Sequence, residues 1–431
     1  MAVQTLSNFS AALRYLYDSD IVPQLNDNDI ARKLRKKYAK DLNIQGLGAV
    51  IPIHGGRNYS GVMSTGEDGT LGTAGRQTPD QLIVPFKDIK GRFGITLETI
   101  KATESNKAAA VQALDFEKQR LIEDISRQRN RIFWGFGRGT LAVISAGASS
   151  TTQTVKDAMG VLNAQSSSNN VARFIQPEMV VSFHTGATLD SVRTVSSVSQ
   201  SAGTFVLSAT VATDTNDLVL LGTTATSDNS PYDKEPMGLL GLVDASTYLS
   251  TIFSFDRTAA GQTFFQSGVS TSVGTLSEDF LLRKIHNQEL SGGKRVNQFF
   301  SGPDVLREYI KLSTDSRRYN SDGKAVNPDV GVGGAGMNEE MRFCGIPIAV
   351  DKDCPYGHLF GVNLDHLFFV NLDQGWEDPN NTGEILRRTT DKTSYEAVYY
   401  DFYNLVQDRG AVSFRLSGIS STVDSGLGIS A

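Results

Sequence analysis

The chain has 431 residues, 39% of them apolar and 20% charged, which leaves room for two or three ordinary domains and excludes the composition of a disordered chain. A formal net charge of −6 excludes the overall basic footprint of a dedicated nucleic-acid binder, so any such contact must come from a local patch. Forty-one glycines favour a β-rich fold with long connections, and two cysteines with nine residues between them form no CxxC or zinc spacing.

The first twenty residues, MAVQTLSNFSAALRYLYDSD, lack a basic segment followed by an apolar one. Nowhere does an apolar run approach the roughly 18 residues of a membrane span, so the sequence reads as soluble and intracellular, with no membrane partner. Residues 1–45 look helical and irregular. Ile30, Leu34 and Tyr38 fall four apart behind Asp27 and Asp29, which predicts a short helix with acids at its positive end. Around that face lie Arg32, Lys33, Arg35, Lys36, Lys37 and Lys40, either a contact for nucleic acid or a partner protein, or a solvated helix face.

Strand signals follow at 49–62 and 82–97, where Phe93, Ile95 and Leu97 alternate with Gly94 and Thr96. Between them STGEDGTLGTAGRQTPDQ places glycines at 66, 69, 72 and 75. Without proline at the intervening positions this period of three builds no triple helix, and the segment reads as a flexible loop. Together these parts predict a long two-stranded arm with a glycine-rich tip, a structure that wants a neighbour to lie on.

Residues 105–133 contain neither proline nor glycine and predict a helical rod about 43 Å long. Val111, Leu114, Leu121, Ile125 and Ile132 mark a narrow, interrupted apolar stripe. Asp115 with Lys118, and Glu123 with Arg127, are spaced to pair, while Arg127, Arg129 and Arg131 crowd the negative end of the helix. The rod is therefore expected to stay ordered while largely wet, its end buried by Phe133, Trp134 and Phe136 and stopped by Gly135, Gly137 and Gly139.

Beyond 139, MVVSFHT, TFVLSATV and DLVLLG read as short strands of a small β-subdomain. LSEDFLLRKIHNQEL at 276–290 is helical, with Thr275 and Glu278 spaced as a capping box, and PDVLREYIKLS from Pro303 is a second helix. A glycine-rich loop at 331–336 leads to a strand, turn and strand in CGIPIAVDKDCPYGHLFGVN. SYEAVYYDFYNLV and GAVSFRL then predict a hairpin around 407–410.

Signatures of catalysis are lacking. GVGGAG at 331–336 has the spacing of a dinucleotide fingerprint without the preceding strand, and GFGRGT at 135–140 lacks the lysine of a phosphate loop. Five histidines, His54, His184, His286, His358 and His366, have no paired spacing. Asp351 and Asp353 flank Lys352 in what reads as a turn capping its own backbone. No enzyme activity, cofactor or metal is expected.

The order of these parts resembles the major capsid proteins of tailed phages. Residues 91–142, from GRFGITLETIK to GFGRGTLA, look like that family's extended-loop strand running into its spine helix. HGGRNYSG from His54 and GIPIAVDKDCPYG from Gly345 look like its hairpin entry and an axial-domain segment. The resemblance implies an α+β, Hong Kong 97-like capsid fold. Its parts would be an N-terminal arm at 1–53, an extended loop at 54–98 and a peripheral domain from 99–140 with 385–418, carrying a spine helix at 105–133. An axial domain would span 141–384, with room for an inserted β-subdomain at 174–222, and a tail 419–431.

The resemblance also implies self-assembly, as hexamers and pentamers, into an icosahedral procapsid that expands as double-stranded DNA is packaged without sequence specificity. A portal protein would occupy one vertex, and a decoration protein stays open. Intersubunit contact would fall on the loop tip, at Gly66, Glu67, Asp68, Gly69, Leu71, Gly72, Gly75 and Arg76. The spine residues would be Leu114, Leu121, Ile125, Ile132 and Trp134, with an inward basic patch at Arg32, Lys33, Arg35, Lys36, Lys37 and Lys40. Some relatives fuse about a hundred scaffolding residues before the arm; here Met1 leads almost directly into it, which predicts a separate scaffolding protein. Some crosslink a loop lysine to a neighbouring subunit; no lysine lies between 64 and 81, which predicts no crosslink at the tip. Rival readings are an encapsulin-type nanocompartment shell, a tail or adhesion protein and, third, an enzyme with an unsignposted site.

Overall fold

A computed structural model describes residues 34, 36–38, 43–45, 48–56, 62, 64–98, 107–161, 171–222, 232–315, 341–377, 386–388 and 393–420. The long strand Ser394–Gln407 organises one sheet. On one side it pairs antiparallel with Lys87–Thr96, and on the other with Leu367–Trp376 and Arg387–Arg388. Alternation fits this half-buried setting, since Phe93 and Ile95 turn inward against Ala397. The strand 87–96 therefore belongs to a body sheet, so the arm is shorter than the 54–98 hairpin read from sequence. Its strands are Gly48–Gly56 and Thr78–Pro85, with Asn43–Gln45 added antiparallel to Gly48–Gly56, and they pack on the main core.

Lys36–Tyr38 forms a short strand parallel to Phe369–Asn371, where a helix was expected. The preceding Leu34 is buried in the main core, while Ile30 and the side chain of Tyr38 lie outside the described residues.

The helix Lys107–Trp134 lies across the first sheet. Ile125 and Ile132 are buried and Leu121 half-buried, whereas the side chains of Val111, Leu114 and Asp115 lie outside the described residues. Room for the helix comes from Gly91, where a Cβ would stand 2.7 Å from Ile125 Cδ1 and 3.0 Å from Leu121 Cδ1. At its end Trp134, fully buried, meets Phe133, Phe300 and Phe360 with ring centroids 5.0–6.1 Å apart.

After the helix the chain builds a closed six-stranded barrel from Thr140–Ile144, Ser149–Lys156, Val180–Thr185, Thr188–Ser199, Thr204–Ala212 and Leu218–Leu221. It has its own core around Phe183, Phe205 and Val219. The β-rich region thus begins at 140, not 174. The strand 149–156 reads SSTTQTVK, too polar to signal burial in sequence, yet Gln153 and Val155 point into the barrel.

A second mixed sheet of six strands carries the helices Glu278–Gly292 and Pro303–Asp315 on a core that includes Leu281, Ile285, Val305 and Tyr309. Ser277, rather than Thr275, caps the first helix by accepting the Phe280 N–H at 3.3 Å. The strand, turn and strand of 344–363 forms without its two strands pairing, and the expected hairpin around 407–410 is absent. Ile346–Val350 and Leu359–Val362 are separated by Gln298–Ser301, which pairs with both. Phe414–Leu416 leaves the long strand altogether and lies between Gly268–Ser270 and Leu359–Val362. The intervening turn is held by Gln407 Nε2 donating to Ser413 Oγ at 2.7 Å and Ser267 Oγ donating to Gly410 O at 2.9 Å. Local turn chemistry cannot specify which sheet the next strand enters.

Candidate intersubunit contact surface

The arm is built from alternation. Ala49, Ile51, Leu82 and Val84 turn into the main core, while Pro52, His54, Gln81, Ile83 and Pro85 face outward. His54 Nε2 and Gln77 Oε1, 2.7 Å apart, close the far end of the described strands. Beyond them, residues 64–77 form no helix or strand, and all but Gly72 are exposed. A turn at Gly66, Glu67, Asp68 and Gly69 is closed by Gly69 N–H donating to Gly66 O at 3.0 Å, with Asp68 at φ 63. Leu71 is 83% exposed and Val62 79%, large apolar groups with no partner surface within the described chain. Arg76 and Gly75 complete this exposed tip; of the eight tip residues named from sequence, seven are exposed and Gly72 is half-buried.

The root of the arm is anchored. Asn404 Nδ2 donates to Pro85 O at 2.7 Å while its Oδ1 accepts the Met237 N–H at 2.8 Å. Neither Asn404 nor Ser254, which also touches the arm, was singled out in sequence; each is one polar residue in an apolar stretch, a signal that says "partnered" without saying with whom.

The basic end of the long helix is less wet than its composition predicts. Arg129 donates to Asp401 at 2.8 Å and stacks 4.4 Å from the Tyr403 ring centroid; the Asp401 side chain is 1% exposed. Arg131, 4% exposed, pairs with Glu235, and Asn130 Nδ2 donates to Asp353 at 2.8 Å and Asp351 at 3.3 Å. Further up, Arg120 pairs with Glu123 and Arg127 with Asp124 at three-residue spacing, replacing the expected Glu123–Arg127 pair. Of the basic patch, Lys36 and Lys37 lie on the edge strand Lys36–Tyr38, while Arg32, Lys33, Arg35 and Lys40 are outside the described residues.

Nothing in the described residues assembles a catalytic constellation. No group of three His, Cys, Asp or Glu could hold a metal ion there, and no described helix is long and apolar enough to cross a membrane. An apolar cavity under the two helices, lined by Leu281, Phe299, Val305, Tyr309, Phe343 and Ile348 among others, contains no histidine or carboxylate. His358 is fully buried and its imidazole is pushed down to about 3 by desolvation. His366 Nδ1 sits 2.7 Å from Asp408 Oδ1. Asp351 Oδ1 accepts the Asp353 N–H at 2.8 Å, the turn-capping role expected of that pair, and burial raises its pKa. The GVGGAG loop lies outside the described residues.

No family model and no curated protein matches the sequence. Among solved structures, the chain overlaps a cyanophage A-1(L) capsid chain with a TM-score of 0.53 at 12% identity, covering 93% of this chain and 96% of that one. A capsid chain of a native GTA particle overlaps at 0.46 and 9% identity over 97% and 100%, and an encapsulin of Synechococcus elongatus at 0.41 and 10% over 98% and 98%. The first of these overlaps runs nearly end to end in both chains and assigns the fold: α+β, of the Hong Kong 97-like capsid type.

Proposed function

We propose that this chain is the major capsid protein of a tailed double-stranded DNA phage, building an icosahedral shell from hexamers and pentamers of itself. What carries the reading is the exposed tip at 64–77 held out on an anchored root, in a fold that overlaps a capsid chain over nearly its whole length. In this reading the sheet built on Ser394–Gln407, with the helix Lys107–Trp134, is the peripheral domain. The six-stranded sheet with its two helices is the axial domain, and the barrel from Thr140 to Leu221 is the inserted subdomain.

The shell would draw its strength from many modest contacts per subunit, since each arm tip buries surface on a neighbour and every subunit is both donor and acceptor. DNA would be confined by geometry rather than read, so an acidic chain suffices if the basic segment 32–40 faces inward. A scaffolding protein, a portal and a decoration protein would complete the particle. Its assembly would take place in the host cytoplasm.

Deleting 66–75 tests the reading: the variant should remain a folded, soluble monomer that yields no closed shells by electron microscopy. Normal shells from the deletion would remove the tip from assembly; shells enclosing a cargo enzyme in place of DNA would favour the encapsulin reading.

A further inference from the structure

We infer that the open edge of the arm is chemically sealed against strand pairing, with Ser254 as the residue that completes the seal. The inference rests on the arm being the part that meets a second copy of this chain, and it specifies how that meeting is restricted: through the tip and faces, not by strand addition.

Thr78–Pro85 is the terminal strand of the three-stranded arm sheet, so one of its edges has no strand beside it among the described residues. Register decides which backbone groups face that edge. Gln81 stands opposite Pro52, which has no N–H to give, so this pair cannot exchange hydrogen bonds and the Gln81 N–H and C=O turn outward. The same parity turns Pro79, Ile83 and Pro85 outward, opposite His54, Val50 and Gly48.

Four residues thus present their backbone to the open side, and each of their donors is accounted for. Pro79 and Pro85 have no N–H. The Gln81 N–H is taken by Asp80 Oδ1 at 2.9 Å. The Ile83 N–H is taken by Ser254 Oγ at 3.1 Å, and the same hydroxyl donates to Gln81 O at 3.0 Å. At the root, Pro85 O accepts from Asn404 Nδ2 at 2.7 Å. A strand approaching this edge finds no free donor, although an exposed strand of this length would otherwise be a template for pairing.

The seal comes from a rigid support. Phe253 and Ser254 join the two-residue strands Thr251–Ile252 and Phe255–Asp256, with Phe253 held at φ 53. Arg257, fully buried, ties this small hairpin to the body by donating to Leu242 O at 2.7 Å, and Gln266 Nε2 donates to Arg257 O at 2.6 Å. Phe264 of the same segment presses on the arm at Gly55, where a Cβ would stand 2.9 Å from the ring.

The test uses the full-length chain with three variants, hydrogen exchange being read on the unassembled protein and shell yield on assembled preparations. Ser254→Ala should speed hydrogen exchange at the Ile83 amide about fivefold while leaving the Leu82 amide, which faces the partner strand, unchanged. It should also convert part of the preparation from shells into irregular β-rich aggregates. Ser254→Ala with Ile83→Pro closes the edge as Pro79 and Pro85 do, and should restore shell yield to the wild-type level. Unchanged exchange at Ile83 in the single variant, or aggregation that the added proline fails to reverse, would overturn the inference. The 66–75 deletion serves as the independent control: if it assembles normally, the underlying reading of the arm fails whatever Ser254 does.

Discussion

Buried polar residues in this chain are settled one partner at a time, and the long helix shows the pattern. Arg129 reaches an almost fully buried Asp401, Arg131 reaches Glu235, and Asn130 divides its amide between Asp351 and Asp353. Such pairs add modest net stability but are costly to break, because a single truncation leaves a charge in a dry site. His358 has a different consequence. Its Nδ1 lies 2.9 Å from Tyr356 O, and burial holds its imidazole at about 3 against an ordinary 6.5. Between those values the unfolded chain binds a proton that the folded chain refuses, so stability falls as pH drops through 6.5 and continues to fall toward 3. One such group gives a slope of about 1.4 kcal/mol per pH unit. Asp351, whose pKa is raised by burial, acts in the opposite sense, since its folded form favours the proton. Urea unfolding of the unassembled chain at pH 7 and pH 5 should therefore show a marked acid loss that His358→Gln reduces. An identical loss in the variant would assign the acid sensitivity elsewhere.

Among elements, the contact of helix on sheet depends on a missing side chain. Gly91 lets Leu121 and Ile125 descend onto the strand Lys87–Thr96, so Gly91→Val should force the helix outward and cost about 1–3 kcal/mol in chemical denaturation. Pairing it with Ile125→Ala should recover part of that cost; no recovery would mean that the strain lies in the strand itself. The barrel is a contrasting case. Closure leaves it without an edge, and it has a separate core. Its strands at 180–185, 204–212 and 218–221 were readable from apolar residues, but 188–199 and the polar strand 149–156 were not, the burial of the latter depending on a partner strand fifty residues away.

At the scale of the whole molecule, the arm emerges from a body whose sheets are filled by segments far apart in sequence. Lys87 and Lys90, the lysines nearest the tip, lie on a body strand, where Lys87 donates to Asp233 O and Lys90 pairs with Asp88. Under the proposed function, mature particles should dissolve to monomers on a denaturing gel; a ladder of covalent oligomers would refute that expectation. By itself the sequence determined the parts that depend on neighbours along the chain. These are the long helix with its aromatic stop, the exposed glycine tip, the two helices at 278–315 and the absence of catalytic spacing. Periodicity, turn chemistry and charge are local properties, and they survive folding. Only the tertiary structure decided which sheet receives each strand, how far the arm extends, and that Ser254 reaches the backbone of a strand 171 residues away. Those outcomes depend on long-range pairing, where one polar side chain or one strand end has many chemically equivalent partners and only the assembled core selects among them.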